Sequence, residues 1–261
     1  MKRILLIDAD ILAYKVAAMN EKTFDFGEGG VACVLSPEKV VADSQETLDD
    51  LVSTLDADGY RIILSDPKKN WRKNLDPTYK DNRKSAKKPA LLMDVKDFLY
   101  KANQSTYIKW LEGDDVMGIM ATNPERKAEF VIVSEDKDMR TIPGLVYHPH
   151  RPEQGVMEIT RDDADRFLLW QTICGDPGDG YPGCRGLGKT SLYAQEIIEG
   201  DFDDPLDMWD LVIDAYASKG FREEHALLQA RLACICRWTN WDPNKRQVRL
   251  WNPLHLLYKN Q

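Results

Sequence analysis

The chain is poor in the residue patterns that mark secreted, zinc-binding or membrane proteins. Its five cysteines, Cys33, Cys174, Cys184, Cys234 and Cys236, include no C-x-x-C pair and no zinc-like spacing. An odd, scattered set fits reduced thiols in a cytoplasmic compartment rather than a disulfide framework. No apolar run approaches the roughly 20 residues that span a bilayer, so no membrane partner is expected. The start, MKRILLIDADILAYKVAAM, has the basic beginning and apolar stretch of a secretion signal, yet Asp8 and Asp10 interrupt it after four apolar residues. Histidine is scarce: His148 and His150, in HPH, lie past the last strand-end motif and read as loop residues. There is no internal repeat and no low-complexity segment.

What is present is a globular composition, 261 residues with 43% hydrophobic and 30% charged, enough for one large domain or two small ones. The formal net charge of −8 argues at first sight against a nucleic-acid partner. Its distribution argues otherwise. Residues 66–88 hold nine Lys or Arg (Lys68, Lys69, Arg72, Lys73, Lys80, Arg83, Lys84, Lys87, Lys88) against three Asp. Such a stretch suits phosphate; a solvated charged loop is the plainer alternative.

Short apolar runs alternate with helical patterns over the first two thirds, which predicts an α/β fold with a mostly parallel sheet. Strands are expected at 3–7, 30–36, 60–64, 106–110 and 129–133. Leu48, Leu51, Val52 and Leu55 recur at helical spacing, in a helix stopped by Gly59. From about residue 160 helices and turns take over: a helix with Thr160 as its N-cap, one opening at Lys189-Thr190, and a later one over EEHALLQARLACICR. Cys234 and Cys236 alternate too closely for one helix face, so core packing is expected of them.

The acids fall where strands end. RILLI runs into Asp8, RIIL into Ser65-Asp66, TYIKW is followed by LEGDD, and EFVIV by SEDKD. If the strands are parallel, Asp8, Asp66, Glu112, Asp114, Asp115, Asp136 and Asp138 meet on the carboxyl edge of the sheet, where α/β folds bind ligands. So many carboxylates cannot gather unneutralised. Hard oxygen ligands without His or Cys suit Mg²⁺ or Mn²⁺, and two such ions about 3.5–4 Å apart form the clamp used for phosphodiester hydrolysis. For any single acid, an N-cap or surface charge is the simpler explanation; the repetition favours metal.

GCRGLGKT (183–190) matches the phosphate-loop pattern G-x-x-x-x-G-K-[ST] letter for letter. A triphosphate loop needs a strand running into its first glycine, whereas GDPGDGYP precedes this one, so no nucleotide triphosphate is expected. The same letters suit a helix–hairpin–helix, whose glycines admit a DNA phosphate to backbone N–H groups at a helix N-terminus.

Five motifs stand in the order found in the 5′ nucleases, the family of flap endonucleases, bacteriophage 5′–3′ exonucleases and the 5′-nuclease domain of bacterial DNA polymerase I. The chain resembles that family over roughly residues 3–239, through LLIDAD, ILSD…NWRKNLDPTYKDNR, LEGDDVMG, VIVSEDKDM and ICGDPGDGYPGCRGLGKTSL. The resemblance implies a PIN-like, mostly parallel sheet with flanking helices over 1–160, carrying a basic gateway segment at 67–105. A helical helix–hairpin–helix (H3TH) region over 161–261 would follow. Asp8, Asp66, Glu112, Asp114, Asp115 and Asp136 would hold a first Mg²⁺ directly or through water, and Asp138, Asp176 and Asp179 a second, with Mn²⁺ able to substitute. A monovalent cation would sit at the hairpin turn. Lys80 and Arg83 would contact the scissile phosphate, and Arg72, Tyr79, Arg185, Gly186, Gly188, Lys189 and Thr190 would bind DNA. With the nine site acids set aside, 34 acids face 35 bases, so the acidic balance reports the site rather than the DNA-facing surface.

The sequence also departs from the family. Only 28 residues separate Arg83 from Glu112, which argues against a large arch and against threading of a 5′ end. Ala9 stands where the family often has Gly, Asp10 is an extra acid, Trp71 replaces Phe, and Gly180-Tyr181 replaces Asn-Ile. The implied activity is that of a metal-dependent 5′–3′ exonuclease or flap endonuclease on DNA, a monomer in a bacterial or phage-infected cytosol. A non-catalytic helix–hairpin–helix DNA-binding protein and a PIN-type ribonuclease are the alternatives.

Overall fold

Strand β1 (Lys2–Asp8) buries Leu5, Leu6 and Ile7 in succession, so both its faces are covered and it belongs at the centre of a parallel sheet. The structure is a computed structural model and describes residues 1–20, 23–25, 31–33, 37–85, 88–101 and 105–258. Helix α1 (Ala9–Asn20) follows β1 directly, then the hairpin of β2 (Thr23–Asp25) and β3 (Val31–Cys33) and helix α2 (Pro37–Thr54). β4 (Gly59–Ile63), α3 (Leu92–Lys101), β5 (Ser105–Thr106), α4 (Gly113–Ala121), β6 (Ala128–Val133), β7 (Gly144–Tyr147) and β8 (Val156–Ile159) complete the sheet layer. The strand order is β5-β4-β1-β6-β7-β8, parallel throughout except for the β7–β8 pair.

Alternation along β1 divides the core. Leu5 and Ile7 pack with Leu12, Val16, Leu48, Val95 and Leu99 beneath α1, α2 and α3. Leu6 points the other way, onto Ile63, Val116, Met117 and Ile132 beneath α4. The rest of the chain is helical: α5 (Arg161–Cys174), α6 (Leu192–Glu199), α7 (Pro205–Ala217) and α8 (Glu223–Ala233), with the short hairpin β9 (Trp241–Asp242) and β10 (Gln247–Val248). These helices share a third core, in which Trp209 and Trp251 meet edge to face at 5.1 Å. Among the described residues no helix is long and apolar enough to cross a membrane.

The α/β sheet followed by helices is as expected; several boundaries are not. The strand expected over 106–110 stops at Thr106, because β5 is an edge strand and Tyr107–Leu111 turn away from it. The helix expected to reach Gly59 ends at Thr54. Ser191, not Lys189-Thr190, caps α6, accepting from the Ala194 N–H. The helix expected to run through Arg237 ends at Ala233, and Cys234 and Cys236 are buried in the extended segment beyond it. Only 31–33 of the strand expected at 30–36 lies within the described residues. In place of an arch, α3 lies against the sheet and buries Leu92, Val95 and Leu99.

Candidate active site

Four chain segments deliver acids to the carboxyl edge of the sheet. Asp8 is the last residue of β1, and β4 leads into Ser65 and Asp66. Glu112 is the N-cap of α4, with Asp114 and Asp115 in its first turn, where the helix dipole favours anions. β6 leads to Ser134 and to Asp136, which caps a 3₁₀ turn (Lys137–Thr141) by accepting from the Asp138 N–H at 2.8 Å.

Asp8, Asp114 and Asp136 form the bare part of this rim. Asp8 is 7% exposed and accepts from the Ser134 hydroxyl at 2.7 Å and from the Ile11 N–H at 3.3 Å. Burial, and then the charges of Asp10 and Asp136, push its carboxyl up to about 7. Asp114 is raised well above the carboxylate range by burial and by the negative charge of Asp8, Asp136 and Glu112, with Lys80 only partly opposing them. Among the described residues the Asp114 side chain accepts no hydrogen bond, and no basic side chain pairs with Asp8, Asp114 or Asp136.

The neighbouring acids are neutralised. Lys80 donates to Glu112 and lies 3.3 Å from Asp179, while Arg83 pairs with the other oxygen of Asp179. Burial pushes Glu112 up, but Lys80 and Arg72 outweigh it and hold the carboxyl at about 2. Lys137 bridges Asp138, at 2.8 Å, and Asp176. Gln171 adds a bond of 2.7 Å to Asp138. Lys80 itself sits in the left-handed region, at φ 58°, with its N–H on the carbonyl of Asp179 at 2.9 Å. The 78–83 turn is thus clamped onto the 176–181 loop.

Three expected site residues have structural places instead. Arg72 is 2% exposed; its guanidinium donates to Asp115 through both Nη atoms, to Glu112 at 2.8 Å and to the carbonyls of Leu232 and Cys234. The resemblance implies a DNA contact for Arg72; here all its donors are engaged in the interior instead. Asp115, fully buried, also accepts from the Trp71 indole at 2.9 Å and the Cys236 N–H at 3.0 Å. Its lone pairs are spent on holding the helical region to the sheet. A phenylalanine at position 71 could not make that bond. Tyr79 is 2% exposed and donates to Asp179 at 2.7 Å, which positions an acid rather than touching DNA. Asp66 reaches the rim, but three backbone N–H groups, of Lys68, Lys69 and Trp110, occupy its carboxylate. Burial raises it and these bonds outweigh burial, so it stays low and charged.

GCRGLGKT forms the turn between α5 and α6, with no strand leading into it. Gly183 is required by contact: a Cβ there would lie 2.3 Å from the Gly175 backbone nitrogen. Arg185, Gly186, Gly188, Lys189 and Thr190 are all exposed, in two successive turns.

The family model for the N-terminal resolvase-like domain of 5′–3′ exonucleases matches residues 3–149. The chain belongs to this 5′–3′ exonuclease family. It is 35% identical to the exonuclease of Escherichia phage T7 over 215 residues, covering 70% of this chain and 71% of that one. It is 32% identical to the exodeoxyribonuclease of Enterobacteria phage T3 over 222 residues, covering 70% of each. The flap endonuclease Xni of Shewanella oneidensis is 30% identical over 139 residues, 49% of this chain and 52% of that one. In fold it is similar to the T5 5′-exonuclease solved with zinc, with a TM-score of 0.65 at 18% identity over 89% of both chains.

For an exonuclease of this family the rim has the right chemistry for a hard divalent cation: oxygen donors only, with Asp8 and Asp114 held up by burial and by mutual repulsion. As the side chains stand, no three His, Cys, Asp or Glu among the described residues close around one ion position. Asp8 instead accepts from the Ser134 hydroxyl, and Asp136 from the Asp138 N–H. Sequence reasoning missed the residues that manage this charge. Lys137 stood in plain view between the acids of SEDKD. Asp10, the extra acid, is tied to Lys96 at 2.6 Å and to Ser65, which links α1, α3 and the end of β4.

Proposed function

We propose that this exonuclease-family chain is a structure-selective 5′ nuclease that hydrolyses DNA phosphodiester bonds at 5′ ends or flaps, in replication or repair. The observation that carries the proposal is the bare Asp8–Asp114–Asp136 rim beside the cations Lys80 and Arg83. A binding module has no use for buried acids that repel one another. Phosphodiester hydrolysis does, because divalent ions held there supply an activated water and charge for the leaving oxygen. Asp8, Asp114, Asp136 and Glu112, with Asp66 through water, would hold a first Mg²⁺. Asp138, Asp176 and Asp179 would hold a second, and Mn²⁺ would serve in place of either.

The chain's own residues would do the positioning. Arg83, whose side chain is 53% exposed, reaches outward from Asp179 to a phosphate. Lys80, more enclosed, fixes the charge that develops near Glu112. In this scheme residues 1–160 cut, and 161–261 grip duplex DNA through the 185–190 turn, with a monovalent cation at that turn. The names of the T7 and T3 relatives favour exonucleolytic action, and the name of Xni adds flap cleavage.

The test is a Mg²⁺ titration on 5′-labelled single-stranded, duplex and flap DNA with product lengths resolved. Cleavage leaving 5′ phosphate and 3′ hydroxyl ends, absent in Asp136→Ala though DNA binding persists, is the expected result. Binding with no cleavage at any Mg²⁺ or Mn²⁺ concentration would leave a non-catalytic DNA-binding protein.

A further inference from the structure

Trp110 sits oddly for a tryptophan. Its backbone is in the left-handed region, at φ 74°, a conformation that bulky side chains avoid and that persists only where surroundings impose it. The residue is 40% exposed. Hydrogen bonds on both sides hold it there: the Trp110 N–H donates to Asp66 Oδ2 at 2.7 Å, and its carbonyl accepts from the Trp71 N–H at 2.9 Å. The indole is thereby fixed next to a strand-end acid without being spent on the core. The ammonium of Lys69 lies over its ring, 4.1 Å from the centroid, and the chain neighbours Lys68 (of Lys69) and Lys109 (of Trp110) are exposed.

A rigid aromatic ring offered to solvent among cations is what an unpaired nucleotide needs: a π-face for its base and positive charge for its phosphate. Trp71, by contrast, is buried, with its indole N–H bonded to Asp115, so the two tryptophans of this corner have separate tasks. We propose that Trp110 is a stacking platform for the base of an unpaired nucleotide next to the cleavage site, with Lys69 holding that nucleotide's phosphate. The proposal rests on the nuclease function above and adds the recognition of single-stranded DNA beside the rim.

Two variants separate the ring from the backbone it strains. Trp110→Gly removes the indole while favouring the same φ, so the Asp66 anchor persists; Trp110→Phe keeps a stacking ring. Binding is measured in EDTA by fluorescence anisotropy, to duplexes with a 5′ single-stranded arm and to blunt duplex. Each arm position is also replaced in turn by an abasic nucleotide. The expected result is a loss of about 5- to 100-fold for Trp110→Gly on the arm substrates, little loss on blunt duplex and near-normal binding by Trp110→Phe. At one arm position the abasic substrate should weaken wild type to the same degree and Trp110→Gly no further. Equal binding of the arm substrates by Trp110→Gly and wild type would overturn the proposal. A loss by Trp110→Gly that is the same at every abasic position would overturn it too. Either result with a wild type that still cleaves 5′ ends leaves the nuclease function standing; a wild type inert in Mg²⁺ brings down that function instead.

Discussion

Asp8, Asp114 and Asp136 lie along the rim of the sheet with no basic partner among the described residues, whereas Glu112, Asp115, Asp138, Asp176 and Asp179 each bond a lysine or arginine. The second set is complete as it stands. The first is a standing cost to the fold, which only a cation or a proton relieves. Adjacent residues fall on opposite sides of this division, since the Asp115 carboxylate is bonded on both oxygens while that of Asp114 accepts no hydrogen bond among the described residues. Asp115→Ala should have the largest effect on stability. It strands Arg72 as a buried, uncompensated charge, a loss of about 3–5 kcal/mol from a total of roughly 5–15. Urea unfolding checks it; a loss below about 1 kcal/mol would mean that water reaches Arg72.

Asp114→Asn should do the reverse. Removing an unpaired, buried acid from the rim is expected to stabilise the metal-free protein by about 0.5–2 kcal/mol, while Mg²⁺-dependent cleavage falls by roughly 10³-fold or more. A variant both less stable and fully active would erase the contrast between the two aspartates.

The same contrast has a pH signature. The Asp8 carboxyl is raised from the ordinary value to about 7, so the folded state keeps a proton that the unfolded chain has lost. Its contribution to stability is complete below about pH 4 and is lost as pH rises through about 7. In EDTA the melting temperature of wild type should therefore fall over that range relative to Asp8→Asn. Excess Mg²⁺ should remove the difference in slope. Parallel curves in EDTA would show that Asp8 ionises freely.

Lys137 sharpens the other side of the comparison. Its side chain is 56% exposed, although it bridges Asp138 and Asp176, so the ion pairs it makes are exchangeable and worth no more than about 1 kcal/mol. Lys137→Met should cost the metal-free protein less than that, and should tighten Mn²⁺ binding several-fold by calorimetry. Unchanged Mn²⁺ affinity would show that the ammonium does not compete for those carboxylates.

What the sequence could and could not reveal follows the same line. β1 and β6 were readable because buried parallel strands are continuous apolar runs, and with them the positions of Asp8 and Asp136. Thr160 and Asp163 form the capping box at the start of α5, which local chemistry alone dictates. Which acids keep a free charge was not readable, because their partners come from far along the chain. Arg72 meets Asp115 from 43 residues away and the Cys234 carbonyl from 162. Arg72 therefore passed for one more cation of a basic run, and Tyr79 for a DNA contact. The 107–111 turn was hidden for another reason: TYIKW has strand propensity, but at the sheet edge it has no partner on its outer side among the described residues.

The smallest expected effect belongs to GCRGLGKT. Lys189 is exposed, its ammonium 5.6 Å from the Trp170 ring centroid, and no strand leads into the loop to build a triphosphate cradle. If the turn grips a DNA phosphate, Lys189→Ala should weaken duplex binding uniformly across sequences and lower the slope of log K against log salt by about one. Gly188 has open space where a Cβ would be and no left-handed φ, so Gly188→Ala tests approach rather than folding. It should leave the melting temperature unchanged and weaken duplex binding, if the backbone comes close to DNA there. ATP hydrolysis by the wild type, lost in Lys189→Ala, would return the loop to nucleotide binding.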